Sequence, residues 1–296
     1  MRMVILSGLD LLLKRPFGAI LLCLTLQGLG SPALAYLRED MDKPLYEVGI
    51  MGGLFDTPDY PGAEQGRIRT LGVPYFIYRG KVLRADQEDG VRGRFFNSDR
   101  LEFDVSMGAG FPSKSKDNRA REGMPSLDWT GEVGPSLVYH AVKDSAIVAL
   151  DLNFPLRWVF STDFTRVDDR GFVFQPGFDF THESLFDENV KFFTRWSLIY
   201  ATRPLMQYYY EVPLEYATAS RPAYEARPGL LGSKVSVAVT NRFTDRVLFF
   251  TAFVKSFYHG VANSSSPLLK TTHTSSLVVG VIWNFYHSEE TAGQWY

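Results

Sequence analysis

After Tyr46 the chain is dominated by a two-residue alternation of apolar and polar or small positions, the period of a β-strand with two unlike faces. Leu71, Val73, Tyr75 and Ile77 alternate with Gly72, Pro74 and Phe76. Leu101, Phe103, Val105, Met107 and Ala109 alternate with Glu102, Asp104, Ser106 and Gly108. Leu127, Trp129, Val133, Leu137 and Tyr139 share one parity, and Asp128, Thr130, Glu132 and Ser136 the other. Leu150 to Phe160, Phe172 to Phe180, Val235 to Val239 and Leu277 to Phe285 continue the series. Several of these runs exceed the roughly five or six residues of an average soluble strand. They match the roughly 9 to 11 residues that a membrane-crossing strand needs. The second parity suits a wet lumen.

The connections alternate in size. Short ones fall at Arg79-Gly80-Lys81, Asn97-Ser98-Asp99, Val142 to Ser145, His182 to Asn189 and Arg242 to Asp245. Long ones fall at Phe55 to Arg69, Pro112 to Ser126, Ser161 to Arg170, Arg203 to Arg227 and Gly260 to Thr272. Outer-membrane barrels have short periplasmic turns and longer external loops. With a short turn at Asp86 to Gly90 on the long-loop side, the pattern predicts an all-β, antiparallel transmembrane barrel of 12 strands; without it the count is 10. The competing architecture is a periplasmic β-sandwich or lipocalin-like barrel. Alternation alone does not say which face points inward; strand length and turn asymmetry favour the membrane barrel.

The N-terminus adds the route of export. Lys14 and Arg15, an apolar run from Phe17 to Leu26, and Ser31-Pro32-Ala33-Leu34-Ala35 have the order of a cleaved secretory signal peptide over residues 1–35. The run is too short for a spanning helix, which needs roughly 20 apolar residues. Cys23 is the single cysteine and leaves with the signal, so the mature chain is expected to have no disulfide. The barrel is expected over residues 36–285 and a C-terminal tail over 286–296. A net charge of −2 offers no basic excess for a nucleic-acid partner.

Three stretches carry a family likeness. They are Gly52-Gly53-Leu54-Phe55-Asp56-Thr57-Pro58-Asp59-Tyr60-Pro61-Gly62-Ala63-Glu64 followed by Val73-Pro74-Tyr75-Phe76, then Tyr224-x-Ala226-x-x-Gly229, and Ala262-Asn263-Ser264-Ser265-Ser266-Pro267-Leu268. Gly171-Phe172 after Ser161-Thr162-Asp163 adds a fourth. In these the chain resembles the MipA/OmpV family of MltA-interacting outer-membrane proteins, from Tyr46 to Phe285. The resemblance implies an outer-membrane barrel. It also implies a scaffold that brings a murein-degrading lytic transglycosylase together with a murein synthase. It carries no catalytic residues and no cofactor. Family chains usually end at the last strand's aromatic, here Phe285.

Candidate chemistry is sparse. Asp56, Asp59, Tyr60 and Glu64 form a candidate contact loop for a hard cation or lipopolysaccharide, since such cations favour carboxylate oxygens. The favoured alternative is an Asx and Pro-Gly turn capping the barrel mouth. Glu102, Asp104, Asp128, Glu132, Asp151, Arg157, Asp179, Lys191, Arg195 and Lys234 fall on the lumen parity. They would either set pore selectivity or plug the lumen as ion pairs, because unpaired buried charge is costly. Tyr208-Tyr209-Tyr210 and Tyr216, in the longest loop, fit an interfacial aromatic belt, or else a lipopolysaccharide or protein contact. No His, Ser and acid spacing of a barrel hydrolase is evident around His182 or His259, and no metal-ligand spacing either. The reading is therefore a non-enzymatic outer-membrane scaffold, in contact with lipid and lipopolysaccharide and with periplasmic murein hydrolase and synthase. A small-solute channel and, more remotely, a lipid hydrolase are its rivals.

Overall fold

The computed structural model describes residues 44–79, 83–86, 90–93, 100–142, 145 and 147–290. The expected signal peptide with Cys23, the turns around Gly80 and at 87–89 and 97–99, most of the Val142 to Ser145 turn, and residues 291–296 lie outside them. The chain forms β1 (Tyr46–Pro58), β2 (Gly66–Arg79), β3 (Leu83–Asp86), β4 (Gly90–Gly93), β5 (Leu101–Gly110), β6 (Trp129–Val142) and β7 (Val148–Thr162). It continues with β8 (Val167–Phe174), β9 (Gly177–His182), β10 (Val190–Ala201), helix α1 (Arg203–Tyr210), β11 (Gly229–Thr244), β12 (Val247–Phe257) and β13 (His273–His287). Among the described residues the strands pair antiparallel with their sequence neighbours except at β4–β5 and β8–β9, and β1 pairs β13, from Glu47 opposite His287 to Asp56 opposite Leu277. The path ends, β4 and β5, approach within 8 Å between Cα atoms. The sheet is a barrel, the one sheet form that leaves no open edge in lipid.

β8 and β9 share one place in the ladder between β7 and β10. The Phe172 to Phe180 alternation is interrupted between them at Gln175-Pro176, because proline has no N–H for a ladder. Pro176 still accepts from the Leu198 N–H at 2.9 Å.

The faces are inverted relative to a soluble protein. Ile50, Leu54, Phe103, Leu137, Phe154, Leu156, Phe249, Phe253, Leu277 and Trp283 are exposed on the outside, whereas Glu102, Asp104, Arg157, Asp179, Ser197, Ser236 and Thr240 are buried inside. A soluble sandwich would bury the first set and expose the second. This decides for a membrane barrel.

Three expectations need correction. First, the lumen is not polar all round. Met51, Phe55, Val73, Phe193, Phe250, Val278 and Ile282 pack into an inward-facing apolar cluster, joined by Leu71. In β2, therefore, Leu71 and Val73 face the lumen, while Phe76 of the other parity is exposed. Second, the strands outrun the expected loops. β1 and β2 stay paired to Pro58 and Gly66, and β7 and β8 to Thr162 and Val167. Beyond the lipid both faces of a strand can be polar, so the alternation fades before the ladder does. Third, β13 continues through Tyr286 and His287 rather than stopping at Phe285. The Ser288 N–H donates to Tyr46 O at 2.9 Å and the Leu45 N–H to Glu290 O at 2.7 Å, which joins the start of β1 to the segment after β13 at the short-turn rim.

Candidate functional site

At the long-loop end the connections turn inward and close the mouth. Helix α1 carries Pro204 in its first turn, where a missing N–H costs nothing, and it buries Leu205, Met206 and Tyr210. These pack with Val212 and Ala226 of the same connection, and with Met124, Tyr258, Val261 and Leu268 from other loops, onto the strand ends at Val159, Val173, Ala201 and Leu231. Tyr60, Ala63 and Leu127 form a smaller cluster against Tyr208 and Tyr209. Tyr208, Tyr209 and Tyr210 are thus parts of a plug rather than of an aromatic belt. Apolar side chains in a loop follow no strand period, so their inward fold left no mark in the alternation.

The separate family-like stretches meet in this plug. The Tyr60 hydroxyl donates to Leu268 O at 2.8 Å, and the Tyr210 hydroxyl to Pro61 O at 3.1 Å. Gly62 O accepts from the Lys270 and Thr271 N–H groups. Asn263, almost fully buried, exchanges hydrogen bonds with the Arg227 backbone and accepts from the Tyr224 hydroxyl at 3.1 Å. Two buried arginines hold the irregular backbone. Arg121 donates to Tyr209 O at 3.0 Å, and Arg221 donates to Ala120 O, Glu122 O and Tyr216 O at 3.0, 2.9 and 2.8 Å. A guanidinium has five donors and so satisfies several loop carbonyls that no ladder reaches.

The candidate loop residues separate. Asp56 is exposed on the outer face of β1, and Glu64 is exposed on the turn. Asp59 is buried and receives Arg67 Nε at 2.7 Å and the second Arg67 nitrogen at 2.8 Å, Arg69 at 3.3 Å and Asn118 Nδ2 at 2.9 Å. Burial opposes its charge, but the hydrogen bonds from Arg67 and Asn118 and the charges of Arg67 and Arg69 prevail and hold its pKa below the usual carboxylate value. Tyr60 lies in the plug with Arg121 over its ring at 5.7 Å, and burial pushes its phenol up to about 12. Asp59 and Tyr60 are therefore occupied by the protein itself. Among the described residues no group of three or more His, Cys, Asp or Glu is placed to hold a metal ion.

Below the plug the lumen charges are mostly paired. Arg157 donates to Glu132 at 2.7 Å and to Ser106 and Gln175. Arg195 pairs with Asp179, which also accepts from Asn153 at 2.7 Å; Lys191 meets Glu183 at 3.0 Å. His140 bridges Asp151 at 2.8 Å and Glu102 at 3.3 Å, a contact the sequence reading did not anticipate because it links β5, β6 and β7. Between plug and ion pairs lies a chamber of about 200 Å³, bounded by Tyr208, Tyr209, Glu132, Arg157 and Lys234. His259 is exposed, and His182 accepts from the Ser184 N–H at 3.4 Å.

The family model of MltA-interacting protein MipA matches residues 49–285, and the chain belongs to this family. No curated protein matches the sequence. Among solved structures, the COG4313 outer membrane channel of Pseudomonas putida F1 is 10% identical over 84% of this chain and 100% of its own, at a TM-score of 0.46. The NanC porin is 10% identical over 79% and 98%, at 0.38. OmpT of Vibrio cholerae is 7% identical over 84% and 99%, at 0.35. Likeness at these levels decides nothing about transport.

Proposed function

We propose that this member of the MltA-interacting protein MipA family is a non-enzymatic outer-membrane scaffold rather than an open channel. In this reading its short-turn rim holds a murein-degrading lytic transglycosylase beside a murein synthase. The plug carries the preference. Four long connections fill the external mouth with an apolar core and buried arginines, and the lumen below holds ion pairs and an apolar wall. A solute path would require that core to come apart. The family name supplies the class of partner. Murein enzymes work on the periplasmic side, where the barrel offers short turns and the joined segments around Leu45 and Glu290.

Two measurements test the reading. Cross-linked envelopes are solubilised and the proteins captured with the barrel are identified; a lytic transglycosylase and a murein synthase are expected. The purified barrel is also placed in a planar bilayer, where no steady single-channel steps are expected. Steady conductance together with capture of neither enzyme would replace the scaffold by a channel.

A further inference from the structure

We propose that the chamber beneath the plug binds one small hydroxylated monoanion, with Lys234 as its counter-charge. The chamber has a volume of about 200 Å³, the scale of a single sugar acid, and Lys234 lines it. Glu132 and Arg157 line the same chamber. Arg157 is taken by Glu132 at 2.7 Å and Arg195 by Asp179. The acids at the chamber's upper edge are also engaged, Asp59 with Arg67 and Arg69, and Asp128 facing Arg166 at 3.8 Å. Lys234 is the surplus cation, without an ion-pair partner among the described residues.

An uncompensated charge in a confined space is costly, and an anion entering that space is attracted far more strongly than in bulk water. The rest of the lining suits a hydroxylated carbon chain. Ser256 and Ser276 line the chamber, as does Thr274, whose hydroxyl lies 3.2 Å from that of Tyr258, and Tyr208 and Tyr209 form an aromatic roof. Polar groups converging on a cavity with an aromatic side are the usual build of a small-ligand site. The site is independent of whether the rim holds murein enzymes.

The test uses a matched pair of probes, gluconate and its neutral counterpart sorbitol, titrated calorimetrically into the detergent-solubilised barrel at low ionic strength. Gluconate is expected to bind at least about tenfold more tightly than sorbitol. Lys234→Met is expected to erase that preference. Ser256 stands directly opposite Lys234 in the β11–β12 register, so Ser256→Asp would supply an internal carboxylate. It is expected to erase the preference while raising the thermal midpoint, which keeps the test valid if Lys234→Met fails to assemble. Equal binding of the two probes by the unaltered protein would show a merely hydrated lysine and overturn the proposal. So would an undiminished gluconate preference in both variants.

Discussion

Asn118 and Asp59, 59 positions apart on different external loops, are joined by a 2.9 Å hydrogen bond in which both side chains are almost fully buried. Asp59 thereby holds the β1–β2 turn to the β5–β6 loop, while Arg67 and Arg69 balance its charge. It is the polar latch of an otherwise apolar plug.

Asp59→Asn should loosen that latch. Breaking a fully buried ion pair costs roughly 3–5 kcal/mol. Because the Arg67 side chain keeps 31% of its exposure, about 2 kcal/mol is expected here, discounted for solvent screening. Limited proteolysis of the external loops should become faster, with the heat-resistant barrel band unchanged on gels. An unchanged cleavage rate would show that the apolar clusters close the mouth without the latch.

The same residue sets a pH dependence. Its folded pKa lies below the ordinary value of about 3.9, so its stabilisation is fully present above that value and is lost as pH falls through the lower folded pKa. Loop protection should hold between about pH 5 and 7 and decline below about pH 3.5. Asp59→Asn should flatten this acid decline; a decline of equal size in the variant would assign it to other carboxylates.

Tyr210 is almost fully buried at the centre of the plug, and its backbone carbonyl accepts from the Ser266 hydroxyl at 2.7 Å. Tyr210→Ala should cost the plug about 3–5 kcal/mol, the range for removing a large core aromatic. Replacing residues 203–227 by a short Gly-Ser linker goes further and removes α1. Current steps in planar bilayers are expected for the linker variant, and a silent bilayer would place the barrier in the lumen's ion pairs instead.

Gly171 has φ +77° where β8 shifts register against β7, and a Cβ there would stand 2.2 Å from Thr202 Oγ1. That same hydroxyl oxygen accepts from the Phe172 N–H at 2.8 Å. Gly171→Ala combines backbone strain of order 1–3 kcal/mol with loss of this tie. Assembly yield should fall, and Thr202→Ser, which keeps the hydroxyl, should leave it near normal.

The C-terminus offers a cleaner truncation than its aromatic ends suggest. Cutting after Glu290 spares every ladder contact of β13, whereas cutting after Phe285 removes the Val48–Tyr286 pairing and the Tyr46–Tyr286 stack at 5.9 Å. Heat-modifiable barrel should form in the first case and fall in the second. With insertion intact, partner capture by the Glu290 truncation then reports on the tail alone.

The sequence by itself determined that the chain is a meander of long alternating strands and, where one face is polar, which parity points inward. Both follow from a period of two residues, which is local and survives reading along one line. Leu150 to Phe160 against Asp151, Asn153 and Arg157 is legible in this way, and it stands in the structure as apolar outside and polar inside. Only the tertiary structure decided which parity meets lipid where both are apolar, as in β2, where Leu71 and Val73 turn inward against Met51 and Phe55. It alone decided that Asp59 and Tyr60 are consumed by the plug, that Tyr208 to Tyr210 fold into the mouth, and that Lys234 is left over. The physical reason is distance along the chain. Tyr60 finds its acceptor 208 positions away at Leu268, and no periodicity encodes a partner at that separation.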